Sequence, residues 1–165
     1  MDVQQIIAAL NLQPHPKEGG YFVESFRSEG RLLAEVLPEG FSTPRALSTA
    51  IYYLLTPATY SEMHRLPGDE IFHFYMGDPV EMLQLWPDGT GKVVELGTDL
   101  ESGQRPQVVV PGEVWQGSRL KQGGSYALLG TTMSPGFDYE DYESGQRTKT
   151  AISSKGGETY KRVEK

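Results

Sequence analysis

The chain has 165 residues, enough for one domain with a real core, and its 19 Gly and 11 Pro are scattered as turn punctuation between many short elements. It contains no cysteine, which excludes disulfides, thiolate nucleophiles, zinc–cysteine sites and iron–sulfur ligation. The formal charge is −7, yet residues 1–146 hold nine basic against twenty acidic side chains, a net of −11, and such an acidic body offers no footprint for nucleic-acid phosphate.

Asp2 is placed to cap a short helix, and Val3, Ile6, Ile7 and Leu10 follow at helical spacing until Pro14 and Pro16 prevent continuation. After Gly19-Gly20 the period changes to two. Phe22, Glu24 and Phe26 alternate with Tyr21, Val23, Ser25 and Arg27, which predicts a strand. Residues 47–55 form a nearly continuous apolar run, predicting a strand buried on both faces or at a dimer contact. Further strands are predicted over 60–64, 70–76, 80–86, 92–96, 107–110, 115–120 and 125–133. Turn-forming connectors separate them, among them Pro67-Gly68-Asp69, Gly77-Asp78-Pro79, Pro87-Asp88-Gly89 and Pro111-Gly112. The pattern is an all-β, jelly-roll double sheet with a short N-terminal helix. A single domain is expected over 1–146, followed by a C-terminal basic tail at 147–165, where six basic residues face two acidic ones. No apolar run approaches the ~18–20 residues of a membrane span, and the N-terminus lacks the pattern of a signal peptide, so a cytoplasmic protein is expected.

The densest constellation of polar and aromatic groups is residues 61–77, which hold two of the three histidines. A strand, a tight turn and a second strand bring His64 and Glu70 side by side. Alternation puts Glu70, Phe72 and Phe74 on one face and His73 on the other with Ile71 and Tyr75. A glutamate among aromatics is expected to have a raised pKa, because desolvation penalises its charged form. His64 is then the candidate general base, with Glu70 as orienting carboxylate or proton donor. Trp115 and Gln116 are candidates to grip a planar ligand, by stacking and by amide hydrogen bonds. Gln84 joins them as a ligand-binding candidate, and Arg27 is a candidate clamp for phosphate or carboxylate, with a cross-strand ion pair to Glu24's neighbours as the alternative. His73 is expected to be a structural or interface residue, and His15, between two prolines, has no assigned role. Residues 137–142 are expected to close over one end of the barrel.

These residues resemble the first cupin motif, in which a glycine-bounded hairpin supplies two histidines, a glutamate and a closing glycine. His64, Glu70 and Gly77 match, whereas Leu66 stands at the second histidine position. Val110-Pro111-Gly112-Glu113-Val114-Trp115-Gln116 resembles the second motif, with Gln116 where its histidine would be. Over nearly its whole length the chain is similar to a family of small uncharacterised cupins. The resemblance is carried by His15-Pro16-Lys17-Glu18-Gly19-Gly20-Tyr21-Phe22, Thr49-Ala50-Ile51-Tyr52-Tyr53-Leu54-Leu55, Asp69-Glu70-Ile71-Phe72-His73-Phe74-Tyr75, Val110-Pro111 with Trp115-Gln116, and Ser134-Pro135-Gly136-Phe137-Asp138-Tyr139.

The resemblance implies a homodimeric double-stranded β-helix barrel with a pocket inside it and no settled activity. A divalent transition metal, if bound, would have His64, Glu70 and Gln116 as ligands, but two good ligands beside an apolar Leu66 disfavour it. Deoxysugar-nucleotide epimerases share the cupin barrel and pair a histidine from this region with a tyrosine acid, for which Tyr21, Tyr53, Tyr75 and Tyr126 are candidates here. The expected function is therefore small-molecule binding with isomerase or epimerase activity on a carbohydrate or nucleotide-linked sugar. The alternatives are a non-enzymatic nucleotide or small-metabolite binder and, less favoured, a metal-dependent oxygenase or isomerase.

Overall fold

The computed structural model describes residues 1–145, so the tail at 147–165 lies outside the described residues. Helix α1 spans Val3–Leu10. It starts at a capping box, in which Asp2 Oδ1 accepts from the Gln5 amide and Gln5 Oε1 accepts from the Asp2 amide, each at 2.9 Å. The strands are β1 (Gln13–Pro14), β2 (Tyr21–Arg27), β3 (Arg31–Leu32), β4 (Arg45–Ala46), β5 (Thr49–Leu55), β6 (Tyr60–Arg65) and β7 (Glu70–Gly77). They continue as β8 (Val80–Leu85), β9 (Gly91–Leu96), β10 (Gln107–Val110), β11 (Trp115–Leu120), β12 (Ala127–Met133) and β13 (Glu143–Ser144). No helix of the described residues is long and apolar enough to cross a membrane.

Two antiparallel sheets face each other. One has six strands in the order β1-β2-β5-β12-β7-β10, the other five in the order β13-β6-β11-β8-β9. The core between them draws Tyr53, Leu55, Phe72 and Leu129 from the first sheet and Val80, Met82, Leu96 and Leu120 from the second. The strand expected over 47–55 begins at Thr49 and lies inside the first sheet, between β2 and β12. Its inner side chains Tyr53 and Leu55 join that core, and Leu54 faces outward under α1, packed with Ile6, Leu12 and Leu128. Burying an aliphatic side chain of this size stabilises the fold by about 1.5–3 kcal/mol, which is what holds so short a helix on the sheet.

Register turns this core into a polarity gradient along the strands. At one end of the second sheet the inward side chains are Leu120, Val80 and Leu96. At the other end they are His64, Gln116 and Gln84, directly opposite one another on β6, β11 and β8. Three segments gather at this polar end: the turns at 66–69 and 111–114, and residues 134–142 after β12.

A buried ion pair pins the last of these segments. Arg45 of β4 forms a fork with Asp141, Nη2 to Oδ1 at 2.6 Å and Nε to Oδ2 at 2.8 Å, and the two side chains are 2% and 4% exposed. The guanidinium also donates to the hydroxyl and carbonyl of Thr43 and to the Pro44 carbonyl, and Glu140 Oε2 stands 3.7 Å away. Removing one member of such a pair leaves an uncompensated buried charge. Arg45→Ala should lower the unfolding free energy by about 3–5 kcal/mol in urea denaturation. Arg45→Ala combined with Asp141→Ala should cost less than the two single losses added together.

Candidate functional site

The polar row exists because β6 carries a bulge. Gln116 pairs with His64 but Ser118 pairs with Ser61, so three steps on β6 answer two on β11. Strict alternation would send Ser61 and His64 to opposite faces; the extra residue turns both inward, and both are buried. Gly117 makes room for the bulge, since a Cβ there would lie 3.3 Å from Met63 Cα and 3.2 Å from the Ser61 carbonyl oxygen.

His64 Nδ1 lies 2.7 Å from the Glu62 carbonyl oxygen, which can only accept. The ring proton of the neutral imidazole is therefore on Nδ1, leaving Nε2 as the basic nitrogen. Tyr142 stacks on the His64 ring, centroid to centroid at 5.1 Å and 17° between planes. Its hydroxyl is buried with no hydrogen-bond partner among the described residues. Burial, then the charges of Glu18, Glu62 and Glu70, push the Tyr142 phenol well above its ordinary pKa, so it keeps its proton.

Glu70 opens β7 and reaches Gln116 across the sheets, accepting from Nε2 at 2.7 Å on Oε2. Burial raises its pKa first and the charge of Glu18 second, while His64, Thr131 and Gln116 favour the ionised form. Glu18 reaches the same region from the loop after β1, its Oε1 accepting from Ser61 Oγ at 2.5 Å. The loop can approach this closely because Gly19 and Gly20 have φ of 99° and 70°, and a Cβ at Gly19 would overlap the Tyr60 carbonyl. His15, which the sequence left without a role, is largely buried in that loop. Its Nδ1 accepts from the Glu18 amide at 2.8 Å, and its Nε2 is 3.9 Å from Glu18 Oε2. Desolvation lowers the His15 pKa, with Glu18 opposing. Glu18, His15 and Tyr142 stand far along the chain from the hairpin, and only the fold brings them to it.

The structure thus brings His64, Glu70, Gln116 and Gln84 together, with Leu66 buried. Phe72 is fully inside the apolar core and Phe74 packs against it. Two candidates stand elsewhere. Trp115 precedes the inward Gln116 and so faces outward, with the outward Arg65 guanidinium 5.1 Å over its ring. Arg27 is bound by Glu24 through three contacts of 2.7–3.2 Å and by the Phe137 carbonyl, so its fork is already filled. His73 lies on the outer face as alternation requires, bonded to Thr132 Oγ1 at 2.5 Å and parallel to Tyr75.

A transition metal does not fit these side chains. Leu66 puts a buried apolar group where a ligand would stand, and Gln116 presents its amide N–H, a donor, to Glu70. Among the described residues no three His, Asp or Glu are grouped so as to hold a metal ion.

The chain belongs to the Cupin superfamily (DUF985), whose family profile matches residues 4–145. It is 34% identical over 148 residues to the uncharacterized protein YML079W of Saccharomyces cerevisiae, covering 85% of this chain and 73% of that one. A hypothetical protein from Leishmania major superposes with a TM-score of 0.79 at 33% identity, over 87% of this chain and 86% of the other. Protein SO0799 from Shewanella oneidensis gives 0.75 at 35%, over 87% and 84%. Oxalate decarboxylase from Bacillus subtilis, in its structure at pH 4.6, matches at a TM-score of 0.54 and 12% identity, over 81% of this chain and 30% of that one, a likeness of fold alone.

The raised pKa of Glu70 has a consequence for stability. Between the ordinary glutamate pKa and its own, the native state binds more protons than the unfolded chain, so stability falls as pH rises through that window. Urea midpoints measured from pH 4 to pH 8 should show this decline. Glu70→Gln should flatten it and leave the protein relatively more stable above the window.

Proposed function

We propose that this cupin binds a carbohydrate-type ligand between its sheets and moves a proton on it without a metal, as an isomerase or epimerase of a free or nucleotide-linked sugar. One observation carries the reading. His64, held in the tautomer that leaves Nε2 basic, shares the polar end with Glu70, a buried carboxyl bonded to an amide instead of a cation.

The chemistry follows from these two groups. Nε2 of His64 takes the proton from the carbon beside a sugar carbonyl, while the protonated Glu70 gives its proton to the carbonyl oxygen, producing an enediol. The Glu70 carboxylate then takes the proton from the neighbouring hydroxyl, and the His64 imidazolium returns its proton to the other carbon. Both residues end as they began, and the substrate leaves as its isomer. Protonation of the original carbon from the opposite face by a water molecule, with Glu70 retaking its proton from the enediol oxygen and His64 giving its proton to the hydroxide left behind, gives the epimer instead. Tyr142 keeps its phenolic proton and serves as a hydrogen-bond donor to a substrate oxygen.

Deuterium incorporation tests the reading directly. Sugars and sugar nucleotides incubated with the protein in D2O should gain deuterium at the carbon next to the carbonyl, followed by proton NMR. His64→Ala should slow this by about 10²–10⁴-fold, the usual contribution of a positioned acid or base, with an unchanged circular dichroism spectrum. Ligands that bind without any exchange would leave a non-enzymatic binding protein.

A further inference from the structure

The charges at the polar end discriminate between kinds of sugar ligand. Glu18 and Glu70 both act on this region, as the hydrogen bonds to Ser61 and Gln116 place them. Neither carboxyl has an arginine or lysine within ion-pair distance among the described residues; Glu18 has only His15, at 3.9 Å. The arginines flanking this end are all committed elsewhere: Arg45 to Asp141, Arg65 to Glu143 and Glu113, and Arg27 to Glu24. Lys17 is exposed, its ammonium 5.3 Å and 5.7 Å from the ring centroids of Tyr139 and Tyr142.

Uncharged polar atoms, by contrast, stand ready for hydrogen bonding. Gln84 is 0% exposed, and its Oε1 has no partner among the described residues although its Nε2 donates to the Val109 carbonyl at 3.4 Å. Ser118 is 6% exposed and its Oγ is also without one. Gln84 shares the transverse row of His64 and Gln116, and Ser118 shares that of Ser61. Buried polar atoms in native proteins are nearly always satisfied, by solvent or by a ligand when not by the chain.

We propose that the interior takes an uncharged, hydroxyl-bearing ligand, a free sugar, and rejects the corresponding phosphate and nucleotide esters. Sugar hydroxyls donate to Gln84 Oε1 and the carboxyls and accept from Ser118 and Tyr142. A phosphate group entering the same space meets the charge of Glu18 and, among the described residues, no free guanidinium, where low dielectric strengthens repulsion. This inference rests on the reading of the space between the sheets as a carbohydrate site, and it removes nucleotide-linked sugars from that site's substrates.

Isothermal titration calorimetry of the full chain at pH 7 tests it, using a panel of free pentoses and hexoses, their phosphates and UDP-glucose. At least one free sugar should bind, and its phosphate should bind at least ten-fold more weakly. Glu18→Gln should narrow that gap, and the wild-type comparison decides alone if this variant does not fold. Tighter binding of any phosphate or nucleotide ester, no binding of any free sugar, or an unchanged gap in a folded Glu18→Gln would overturn the proposal. A free sugar that binds without deuterium incorporation defeats the isomerase reading and leaves this one standing, whereas turnover of a phosphate ester does the reverse.

Discussion

A carboxyl group enclosed between two β-sheets with no arginine or lysine beside it is penalised for ionising and must collect hydrogen bonds, and Glu70 is held under both constraints. Its burial raises the cost of ionisation, and the Gln116 amide, which can donate but cannot take up a proton, serves either state of the acid. That single contact ties the first strand position of β7 to β11 in the opposite sheet. It depends in turn on how the two turns at this end dock. The Gly112 amide donates to Asp69 Oδ1 at 2.9 Å and the Glu113 amide to the Leu66 carbonyl at 2.8 Å. A Cβ at Gly112 would run into the Pro67 carbonyl, so only glycine lets the turns close.

Much of this fold was legible from hydrophobic period and turn residues alone. The helix and the nine longer strands stand within two positions of their expected bounds, because Gly, Pro, Asn and Asp separate the runs so clearly. Alternation also sorted Glu70 and His73 onto opposite faces. The same rule, carried one position further, would have separated Trp115 from Gln116; reading the two as a joint grip set aside the pleat. For Arg27 the sequence allows a clamp or a cross-strand ion pair, and its partner is neither: Glu24 itself, three positions back on the same strand, holds the guanidinium. The bulge that turns His64 inward has no local signature, and Glu18, His15 and Tyr142 arrive from segments whose approach is set by tertiary packing.

The fold is shared with proteins of very different chemistry, so function lives in a few exchanged side chains. Leucine and glutamine at two of the cupin motif positions remove imidazole lone pairs and put in their place an apolar wall and an amide. The effect is not simply a loss. An amide and a carboxyl can form a neutral, directional pair that a metal would break, and this leaves His64 for the base role proposed above. Remodelling of this kind keeps the geometry of the motif while replacing charge–charge attraction with hydrogen bonding.

The site is also built from segments that stability holds in place. Tyr142 reaches the His64 ring because Asp141, its neighbour in the chain, is gripped by Arg45. The Asp138 carboxylate accepting from the Glu140 amide and the β13 pairing of Ser144 with His64 fix the same segment on either side. His64 is thereby held twice: through Nδ1 by the Glu62 carbonyl, which sets its tautomer, and through its face by Tyr142, which sets its plane. In its proposed role, an imidazole held in this way needs little reorganisation when it takes up a proton. The ion pair that secures the fold at this end is therefore also what positions the His64 ring, and under the proposed function stability and chemistry meet in one short stretch of chain.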